Sequence, residues 1–379
     1  MVFCLREYDD RYLMKSVVQI TSVHSLFDTR IFQKECKSLT SFGYRVILIV
    51  RHAKDENIDG ISIEALSIPR NRLQRMIFTT FQVYRRVLEA NSRLHHFHDP
   101  ELVLIGLLLK LQSKTVIYDV HEDVPRQILS KHYIPKVWRA TIAWIVERLE
   151  TFSARRFDAV VAATPHITHR FESLGCHAVN INNYPILNEL HTPRLDWSQK
   201  ERVVCYVGGI AQIRGIQEMV DAIGQTDVKL LLAGQFADSQ QRQRVVSLPG
   251  WANVQELGQL DRPAVAQTLA RAQAGLVLFH PLPNHIDAQP NKMFEYMSAG
   301  LPVIASDFPL WREIIEGNDC GICVDPLDVS AIREAIEYLI NHPDQAQRLG
   351  QNGLRAIETT YNWETEAQKL KSLYEELLA

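Results

Sequence analysis

Apolar residues in the first half of the chain come in short runs that alternate with segments long enough for helices. The runs, several of them rich in Val and Ile, cover 16–23, 44–51, 62–68, 94–99, 115–121 and 158–164. The clearest helical segment, 29–43, separates the first two runs. Strands separated by helix-length segments are typical of βαβ units and of a parallel sheet. The pattern therefore predicts an α/β domain in this half.

A second series of the same kind follows a polar, proline-containing stretch at 183–201. Its predicted strands are 202–208, 228–234, 252–258, 274–280, 301–306 and 321–325. The chain of 379 residues exceeds the size at which one core usually stops growing, so two doubly wound α/β domains are expected. Residues 363–378 have the amphipathic pattern of a last helix.

These patterns give four expected segments. We expect an N-terminal extension at 1–14, a first domain at 15–190, a second domain at 191–362 and a C-terminal helix at 363–379. Met14 is a possible alternative start, because the first convincing strand begins just after it.

The stretch HIDAQPNKMFEYMSAGLPVIASD, residues 285–307, places one acid before a predicted helix and a second acid inside it. Asp287 falls in the loop, near the free N–H groups of the first helical turn, where anions are favoured. Glu295 falls about one turn into the helix. This arrangement suits a ligand with phosphates in the middle and hydroxyls at both ends, such as a nucleotide sugar.

Composition adds few constraints. The hydrophobic fraction of 46% and the charged fraction of 22% are those of a soluble globular protein. No apolar run approaches the roughly 20 residues of a spanning helix, and the first 15 residues carry acids where a signal peptide has its apolar stretch. We therefore expect a cytoplasmic protein. Residues 1–190 carry 25 basic and 20 acidic residues, against 16 and 24 in the remainder, which indicates an anionic surface or acceptor on the first half.

The six cysteines are scattered along the chain, which is typical of a reducing compartment. Only Cys320 and Cys323 form a C-x-x-C. A zinc site needs a second pair or histidines at ligand spacing, and neither follows this one, so a loop entering a strand is favoured over a metal or redox site.

Four segments together resemble the family 4 glycosyltransferases of the two-domain GT-B architecture: DAQPNKMFEYMSAGLPVIASD, YVGGIAQIRGI (206–216), GICVDPLD (321–328) and YNWETEAQKLKSLYEELL (361–378). The family motif is E-x7-E, and this chain has Asp287-x7-Glu295, so one carboxylate is shorter. The resemblance implies two facing Rossmann-like domains with parallel sheets flanked by helices and a ligand between them. We expect the last helix to cross back to the first domain. The implied reaction moves a sugar from a nucleoside-diphosphate sugar to a glycan or polyprenyl-linked acceptor, with retention of configuration.

Donor-binding residues follow from the same helix. Glu295 is expected to accept hydrogen bonds from the ribose hydroxyls and Asp287 to contact the transferred sugar, although both can also be ordinary helix and loop acids. Pro290 suits a helix start, which leaves the amides of Asn291, Lys292 and Met293 free for a diphosphate. The Lys292 ammonium adds a charge unless it is merely solvated.

The second phosphate element is GGIAQIRG, 208–215. Gly208 and Gly209 allow the backbone close to a phosphate, and Arg214 can neutralise the charge of a leaving diphosphate. The family commonly has a basic residue where this chain has Gly209. Arg214 must then do more, or Lys292 must compensate; a surface arginine at a helix start is the alternative.

The first half contributes His121, at the end of the predicted strand YDVH, where the resemblance implies a histidine beside the transferred sugar. Its imidazole can hydrogen-bond a sugar hydroxyl. His98 is a secondary candidate in the cleft, on the acceptor side, where Asp28 and Arg30 are also candidate contacts. Each of these can instead be structural.

No D-x-D occurs in the chain, so we expect no metal and no cofactor, with the nucleotide sugar as substrate. Segment 70–88 carries Arg70, Arg72, Arg75, Arg85 and Arg86 around an apolar stripe, and 131–149 adds two tryptophans. Both segments can be helices that pack on the sheet with a solvated basic face. The alternative is that they form a docking face for anionic lipid, which would make the protein peripheral on the inner face of a membrane. Nucleic acid is not an expected partner.

Three other functions compete with glycosyl transfer. A nicotinamide dehydrogenase needs a glycine-rich turn after the first strand, and no glycine precedes Gly43. A sugar-nucleotide epimerase of the same architecture would bind the same donor. The absence of a cation at Gly209 leaves a non-catalytic nucleotide-sugar-binding protein open.

Overall fold

The computed structural model describes residues 16–68, 71, 74, 78–130, 134–190 and 197–379. The chain divides into two compact units, one of Met1–Asn183 with Thr365–Ala379 and one of Tyr184–Glu364. The last helix, Trp363–Leu377, begins in the second unit and ends in the first. The N-terminal extension expected at 1–14 lies outside the described residues.

Eight strands form the sheet of the first unit: β1 Ser16–Ser25, β2 Arg45–Arg51, β3 Glu56–Ile58, β4 Ile61–Leu66, β5 Leu94–Phe97, β6 Thr115–Val120, β7 Ala159–Ala162 and β8 Ala178–Asn180. Their order in the sheet is β3-β4-β2-β1-β5-β6-β7-β8. All neighbours are parallel except β3, which is antiparallel to β4. The predicted parallel sheet is therefore confirmed.

The described α-helices of this unit are α1 Lys37–Ser41, α2 Thr80–Ala90, α3 Val103–Leu111, α4 Val124–Ser130, α5 Lys136–Ala154 and α6 Pro165–Ser173. A π-helical segment, Thr29–Cys36, leads into α1, and a 3-10 turn, Pro100–Leu102, leads into α3. The helix predicted over 29–43 is thus present, with its first part wound as a π-helix. Asp28 caps it, because its side chain accepts hydrogen bonds from the N–H groups of Arg30 and Ile31.

The central strand β1 is buried along most of its length because helices cover both faces of a parallel sheet. Val17, Val18 and Ile20 are almost completely buried. Gln19 and Thr21 are buried between and beside them. A buried polar side chain needs a hydrogen-bonding partner, so these two residues mark a polar cluster inside the first unit.

Two strands of the first unit escape the sequence pattern. β3 (Glu-Asn-Ile) and β8 (Ala-Val-Asn) have three residues each and lie at the two edges of the sheet. Edge strands are often short and mixed in polarity because one side is open to solvent. A three-residue strand of this kind carries no periodic signal.

Six strands form the sheet of the second unit: β9 Val203–Val207, β10 Lys229–Ala233, β11 Val254–Gly258, β12 Ala274–Val277, β13 Val303–Ser306 and β14 Gly321–Val324. They are parallel, in the order β11-β10-β9-β12-β13-β14. Each coincides with a predicted run. The chain moves outward from β9 to β11 and then returns to the other side of β9, so the topological switch point lies between β9 and β12.

The helices of the second unit are α7 Ile216–Ile223, α8 Ser239–Val246, α9 Arg262–Arg271, α10 Pro283–Ile286, α11 Asn291–Ser298, α12 Pro309–Ile315, α13 Val329–Asn341 and α14 Pro343–Thr359. The last helix, which the two units share, is α15. Short 3-10 turns cover Trp197–Gln199, Gln212–Arg214 and Pro249–Asn253.

Both faces of the second sheet carry apolar cores. Val203 and Cys205 belong to one core, and Val204 and Tyr206 belong to the other, as the alternation of side chains along a strand requires. The largest buried side chain, Trp311, packs in the first of these cores. None of the helices in the described part of the chain combines the length and the apolar character needed to cross a membrane.

Candidate functional site

The loop that follows β9 brings backbone and cation together at the switch point. Gly208 has φ +130° and Gly215 has φ +74°, conformations that favour glycine. Between them the carbonyl oxygen of Gly209 accepts from the Tyr206 hydroxyl at 2.7 Å and from Nη1 of Arg214 at 3.0 Å. A Cβ at Gly209 would lie 2.8 Å from Nη1 of Arg214. The glycine therefore lets the guanidinium fold back over the loop.

Lys292, in the first turn of α11, reaches the same loop from below the surface. Its side chain is buried, and Nζ donates to the Tyr206 hydroxyl at 2.7 Å. Nζ also lies 3.9 Å from the centroid of the Tyr206 ring, a cation–π contact. A Cβ at Gly208 would lie 3.0 Å from Nζ, so the ammonium sits against the bare backbone of Gly208. The structure thus brings together four predicted donor residues: Gly208, Gly209, Arg214 and Lys292.

Arg214 and Lys292 form what we call the cation pair. In the part of the chain that the structure describes, neither has a carboxylate within ion-pair distance. Burial, and then the charge of Arg214, holds the pKa of Lys292 well below its ordinary range. Burial also raises the pKa of Tyr206 to about 12, so this hydroxyl is a neutral partner. Two cations held together without a nearby anion form a binding site for an anionic ligand.

Glu295, one turn further along α11, is half-buried and held by an arginine that the sequence analysis missed. Nη1 of Arg262 donates to Oε1 of Glu295 at 2.7 Å. Nε and Nη2 of the same guanidinium donate to the two carboxylate oxygens of Glu189, each at 2.8 Å. Arg262 therefore fixes the position of the carboxylate. The signal in the sequence was weak, because Asp261-Arg262-Pro263 looks like an ordinary helix start.

Asp287 follows the short helix α10 and is half-buried in the loop ahead of α11. The indole of Trp311 donates to the carbonyl of Ala288 at 2.7 Å and anchors this loop. One part of the predicted phosphate site is wrong: the N–H of Met293 donates to the carbonyl of Pro290 at 3.0 Å, so it is not free. Asn291, the first residue of α11, is exposed.

An open cavity of about 580 Å³ lies at the carboxyl ends of β10 and β11. Its lining includes Gly234, Phe236, Asp238, Arg242 and Glu256. Gly234 packs directly on the carbonyl of Gly208, where a Cβ would collide with it. The cavity is therefore next to the loop that carries Arg214.

The first unit holds a second group of predicted residues around Asp119, at the end of β6. Nε2 of His121 lies 3.4 Å and Nδ1 of His98 lies 3.2 Å from Oδ2 of this carboxylate. Nε and Nη2 of Arg30 donate to its two oxygens, each at 3.0 Å. Glu35 completes the set, with Oε1 3.0 Å from Nε of Arg30. We call these residues, together with His96, the Asp119 cluster.

The charges of the Asp119 cluster are nearly balanced. Burial opposes ionisation of Asp119, yet Arg30 and His121 keep the pKa of Asp119 well below its ordinary value. Burial, reinforced by the charge of Asp119, raises the pKa of Glu35 well above its ordinary value, which favours its neutral form. With Glu35 neutral, the guanidinium of Arg30 and the carboxylate of Asp119 balance each other inside the cluster.

Burial changes the roles of two predicted acceptor contacts. Arg30 and His98 are both 3% exposed and bound within the Asp119 cluster. A direct contact with an acceptor does not fit that position, so both serve as supports. Asp28 is more accessible, and its side chain pairs with His24 at 3.0 Å. Burial would raise the pKa of Asp28, but the bonds from His24 and the Ile31 amide lower it below its ordinary value.

Glu35, His96, His98 and Asp119 are also the described residues whose donor atoms, all within 4.8 Å of one another, come close enough for a metal ion. Arg30 already occupies both oxygens of Asp119. A divalent cation would add two positive charges beside that guanidinium, whereas one proton on Glu35 balances the charge. The residues present therefore fit a proton better than a metal.

Asp119 is the central residue that the sequence analysis passed over. An acid inside the apolar run TVIYDV was a visible signal, because a buried carboxylate requires compensating partners. Its partner Arg30 lies 89 residues earlier, and no local pattern connects the two positions.

Comparison with known protein families gives two matches that together span most of the chain. The family described as Glycosyl transferase 4-like domain matches residues 29–184, and the family described as Glycosyl transferases group 1 matches residues 188–356.

Relatives with assigned activities are similar over most of their length. The D-rhamnosyltransferase WbpZ of Pseudomonas aeruginosa is 24% identical over 289 residues, 72% of this chain and 71% of the relative. The phosphatidyl-myo-inositol mannosyltransferase of Mycobacterium leprae is 24% identical over 326 residues, 82% of each chain.

Solved structures agree in fold. The sucrose-phosphate synthase of Thermosynechococcus elongatus superposes with a TM-score of 0.78 at 20% identity, covering 96% of this chain and 99% of that chain. HepE of Anabaena, solved in complex with UDP and glucose, gives a TM-score of 0.74 at 15% identity, covering 96% of this chain and 100% of that chain. The predicted architecture of two parallel-sheet α/β domains is therefore confirmed.

Proposed function

Because this chain belongs to the family 4 glycosyltransferases of the GT-B architecture, we propose that it moves a sugar from a nucleoside-diphosphate sugar to a hydroxyl of a glycan or polyprenyl-linked acceptor. The observation that carries the donor class is the cation pair, a buried ammonium and a guanidinium without a described carboxylate partner. A diphosphate supplies the missing negative charge. No other group of described residues in the second unit combines two such cations with glycine backbone.

The donor is assigned to the second unit in three parts. The diphosphate binds the cation pair, Gly208, Gly209 and the exposed start of α11 at Asn291. The ribose hydroxyls donate to Glu295, which Arg262 holds in position. The base occupies the cavity beyond Gly234. Support comes from the order of these features along one edge of the sheet, at the carboxyl ends of neighbouring strands.

Transfer breaks the bond between the anomeric carbon and the diphosphate oxygen and forms a bond to the acceptor oxygen. The proton of the acceptor hydroxyl ends on the diphosphate. Negative charge grows on the leaving group, and the cation pair stabilises it, the kind of fixed electrostatic assistance that contributes most in many enzymes. Attack from the face that the diphosphate leaves gives retention. Asp287 contacts the migrating sugar, and His121 of the first unit accepts a hydrogen bond from a substrate hydroxyl.

The same account makes the reaction independent of a metal and of any cofactor. Arg214 and Lys292 provide the positive charge that a divalent cation supplies in enzymes with a metal-bound diphosphate. Transfer should continue at its full rate in a chelator. Loss of transfer in the chelator and its return with manganese would contradict this part of the proposal.

The function is tested by incubating the purified protein with labelled nucleotide sugars and a polyprenyl-linked acceptor, with products identified by mass spectrometry. Transfer supports the proposal. An epimerised donor without transfer, or bound donor without product, would overturn it in favour of the two competing functions. Lys292→Met should abolish transfer, whereas Lys229→Met, which removes an exposed lysine at the other end of the same sheet's strands, should not.

An apolar face on the first unit supports a second proposal, that this unit docks on an anionic lipid surface. Helices α2, α3 and α5 follow crossovers that run in one direction across the sheet, so right-handed connections put all three on one face. Their outward positions are large and apolar, each at least 36% exposed: Phe81, Leu88, Leu104, Leu108, Leu111, Val137, Trp138, Ile142, Trp144, Ile145, Leu149 and Phe152. An exposed patch of this size marks a docking site.

Basic side chains lie among these aromatic residues. Arg148 lies 5.6 Å from the Trp144 ring and Arg156 lies 3.5 Å from the Phe152 ring. Tryptophan and arginine together suit the boundary between lipid headgroups and acyl chains. The predicted arginine stripe contributes less than expected, because Arg86 pairs with Asp55 and Arg85 pairs with Glu89. Arg70, Arg72 and Arg75 lie outside the described residues.

Liposome sedimentation tests the docking proposal. Replacing Trp138 and Trp144 together by serine should weaken binding to phosphatidylglycerol vesicles and leave donor affinity unchanged. The matched control replaces Leu327 and Tyr338 of the second unit, which are similarly exposed, and should bind normally. Equal binding by both double variants would sink the proposal.

A further inference from the structure

A chain of buried hydrogen bonds runs inward from His121. Nε2 of His121 lies 3.2 Å from Nδ1 of His98, and Nε2 of His98 lies 2.6 Å from Oε1 of Gln19. Nε2 of Gln19 then donates to the hydroxyl of Tyr374 at 2.9 Å. His98, Gln19 and Tyr374 are buried, while the side chain of His121 is 19% exposed. The chain connects an accessible imidazole with helix α15.

Gln19 sets the direction of this chain. An amide oxygen only accepts hydrogen bonds, so Nε2 of His98 carries the hydrogen. Burial lowers the pKa of His98, although Asp119 opposes that shift, so His98 is neutral and its Nδ1 is bare. The hydrogen between the two histidines therefore belongs to Nε2 of His121.

Asp119 alone does not choose between the two imidazoles, because its Oδ2 lies 3.2 Å from Nδ1 of His98 and 3.4 Å from Nε2 of His121. The assignment therefore rests on Gln19, and Asp119 adds a second acceptor beside Nε2 of His121. The carboxylate of Asp119, ionised beside Arg30, can only accept. Both neighbours of Nε2 are thus acceptors. Nδ1 of His121 makes no hydrogen bond to any residue that the structure describes.

We infer that Asp119 and His98 are positioning residues that hold His121 in its Nε2–H tautomer, with Nδ1 as a bare acceptor for a substrate hydroxyl. The inference about the tautomer stands on the first unit alone, and only the identity of the hydroxyl rests on the proposed function. An exposed histidine exchanges between two tautomers and a cation near neutral pH. The buried hydrogen bonds select one of the two neutral tautomers, so the neutral ring offers one acceptor at one place.

The tautomer is tested directly by long-range proton–nitrogen correlation spectra of protein labelled at histidine, with the His121 signals assigned by their loss in His121→Gln. We expect a protonated Nε2 and a bare Nδ1 at neutral pH. Free histidine in solution gives the reference for an averaging imidazole. A protonated Nδ1, or an averaged pattern like that of free histidine, would overturn the inference whether or not the protein transfers sugar.

Two pairs of variants separate the position of the hydrogen-bonding atom from the size of the side chain. In His121→Asn the amide oxygen can stand near Nδ1, whereas in His121→Gln the amide stands near Nε2. The Asn variant should keep at least about tenfold more kcat/KM than the Gln variant, in proportion to one hydrogen bond to a substrate. A more active Gln variant would contradict the inference.

The second pair changes His98 and avoids Asp119, because Asp119→Asn leaves Arg30 buried without its counter-charge. His98→Asn keeps an acceptor near Nδ1, and His98→Leu removes it. Only the Leu variant should lower kcat and give an averaged spectrum for His121. The affinity for nucleoside diphosphate should be unchanged in both His98 variants. An undisturbed His121 spectrum in a folded His98→Leu protein would show that Asp119 acts alone, and an undisturbed spectrum with undiminished kcat would remove His98 from the account.

Discussion

The two units treat buried charge in opposite ways. In the first unit the carboxylate of Asp119 is matched by the guanidinium of Arg30, and the raised pKa of Glu35 favours its neutral form. In the second unit the ammonium of Lys292 is buried against a neutral hydroxyl, with a second cation beside it. A compensated charge holds its own surroundings in place. An uncompensated one lowers the stability of the free protein and is relieved by the loss of its proton or by an anionic ligand.

The surfaces differ as well. Nearly all large exposed apolar side chains among the described residues belong to the first unit, whereas the second unit exposes Ile213, Leu327 and Tyr338. The second unit thus keeps its unusual chemistry at the cation pair, and the first unit carries both a buried cluster and the apolar face that we propose as a docking site. This division fits the proposal that the second unit holds the donor and the first unit receives the acceptor.

The largest effect on stability is expected for Arg30→Met. Removing the guanidinium leaves Asp119 buried without its partner, which costs about 3–5 kcal/mol of unfolding free energy. Urea denaturation measures the change. Arg85→Met, which removes an exposed arginine paired with Glu89, should change stability by no more than about 0.5 kcal/mol. Equal small effects in the two variants would mean that the first unit does not depend on its charge balance.

Lys292→Met should act in the opposite direction on stability and strongly on binding. Removing a buried ammonium should stabilise the protein by about 1–3 kcal/mol. The loss of a charge-assisted contact in a buried site should weaken nucleoside diphosphate binding by about 100-fold or more. Calorimetry and urea denaturation give the two values. A destabilised variant with normal affinity would show that Lys292 is a structural residue.

Glu295→Ala should weaken donor binding by about ten- to a hundredfold, since two hydrogen bonds to a carboxylate are lost. The ribose does not change during transfer, so this loss should raise KM and leave kcat nearly unchanged. Asp287→Asn should instead lower kcat and bind nucleoside diphosphate almost normally. Equal losses of diphosphate affinity in the two folded variants would contradict this division of roles.

The smallest effect is expected for Arg262→Lys. Lysine keeps the charge but lacks the planar set of N–H donors with which the guanidinium binds Glu189 and Glu295 at the same time. Glu295 should become less well placed, and the donor KM should rise by about two- to fivefold, the scale of a misplaced rather than missing contact. Steady-state kinetics measure it, with Arg271→Lys, whose partner is Glu201 at the surface, as the control. A change in kcat without a change in KM would exclude a role through Glu295.

The sequence predicts the second unit better than the first for a physical reason. The four inner strands of its sheet, β9, β10, β12 and β13, are largely buried and apolar, so the hydrophobic pattern finds them. The donor residues also lie close together along the chain. The residues from Gly208 to Arg214 and from Asp287 to Glu295 each form one local segment whose spacing carries meaning.

The Asp119 cluster could not be predicted in the same way. Arg30 and Asp119 are 89 residues apart, and Gln19 and Tyr374 are 355 residues apart, so only the folded sheet and α15 bring them together. The sequence analysis named Arg30, His98 and His121 as candidates, but it assigned Arg30 and His98 to the acceptor side. Burial, which a single sequence does not reveal, decides between a contact and a support.

The proposed anion site is tested most directly by measuring how many protons the protein takes up when it binds a nucleoside diphosphate. The pKa of Lys292 is depressed in the free protein, so above that pKa and below the ordinary lysine value of about 10.4 the amine is neutral. A bound diphosphate favours the ammonium, so binding should take up about one proton in this pH window. Calorimetry in buffers of different ionisation enthalpy measures the uptake. Proton uptake by the native protein, and none by Lys292→Met, is the predicted result; binding without proton uptake anywhere in the window would contradict the account.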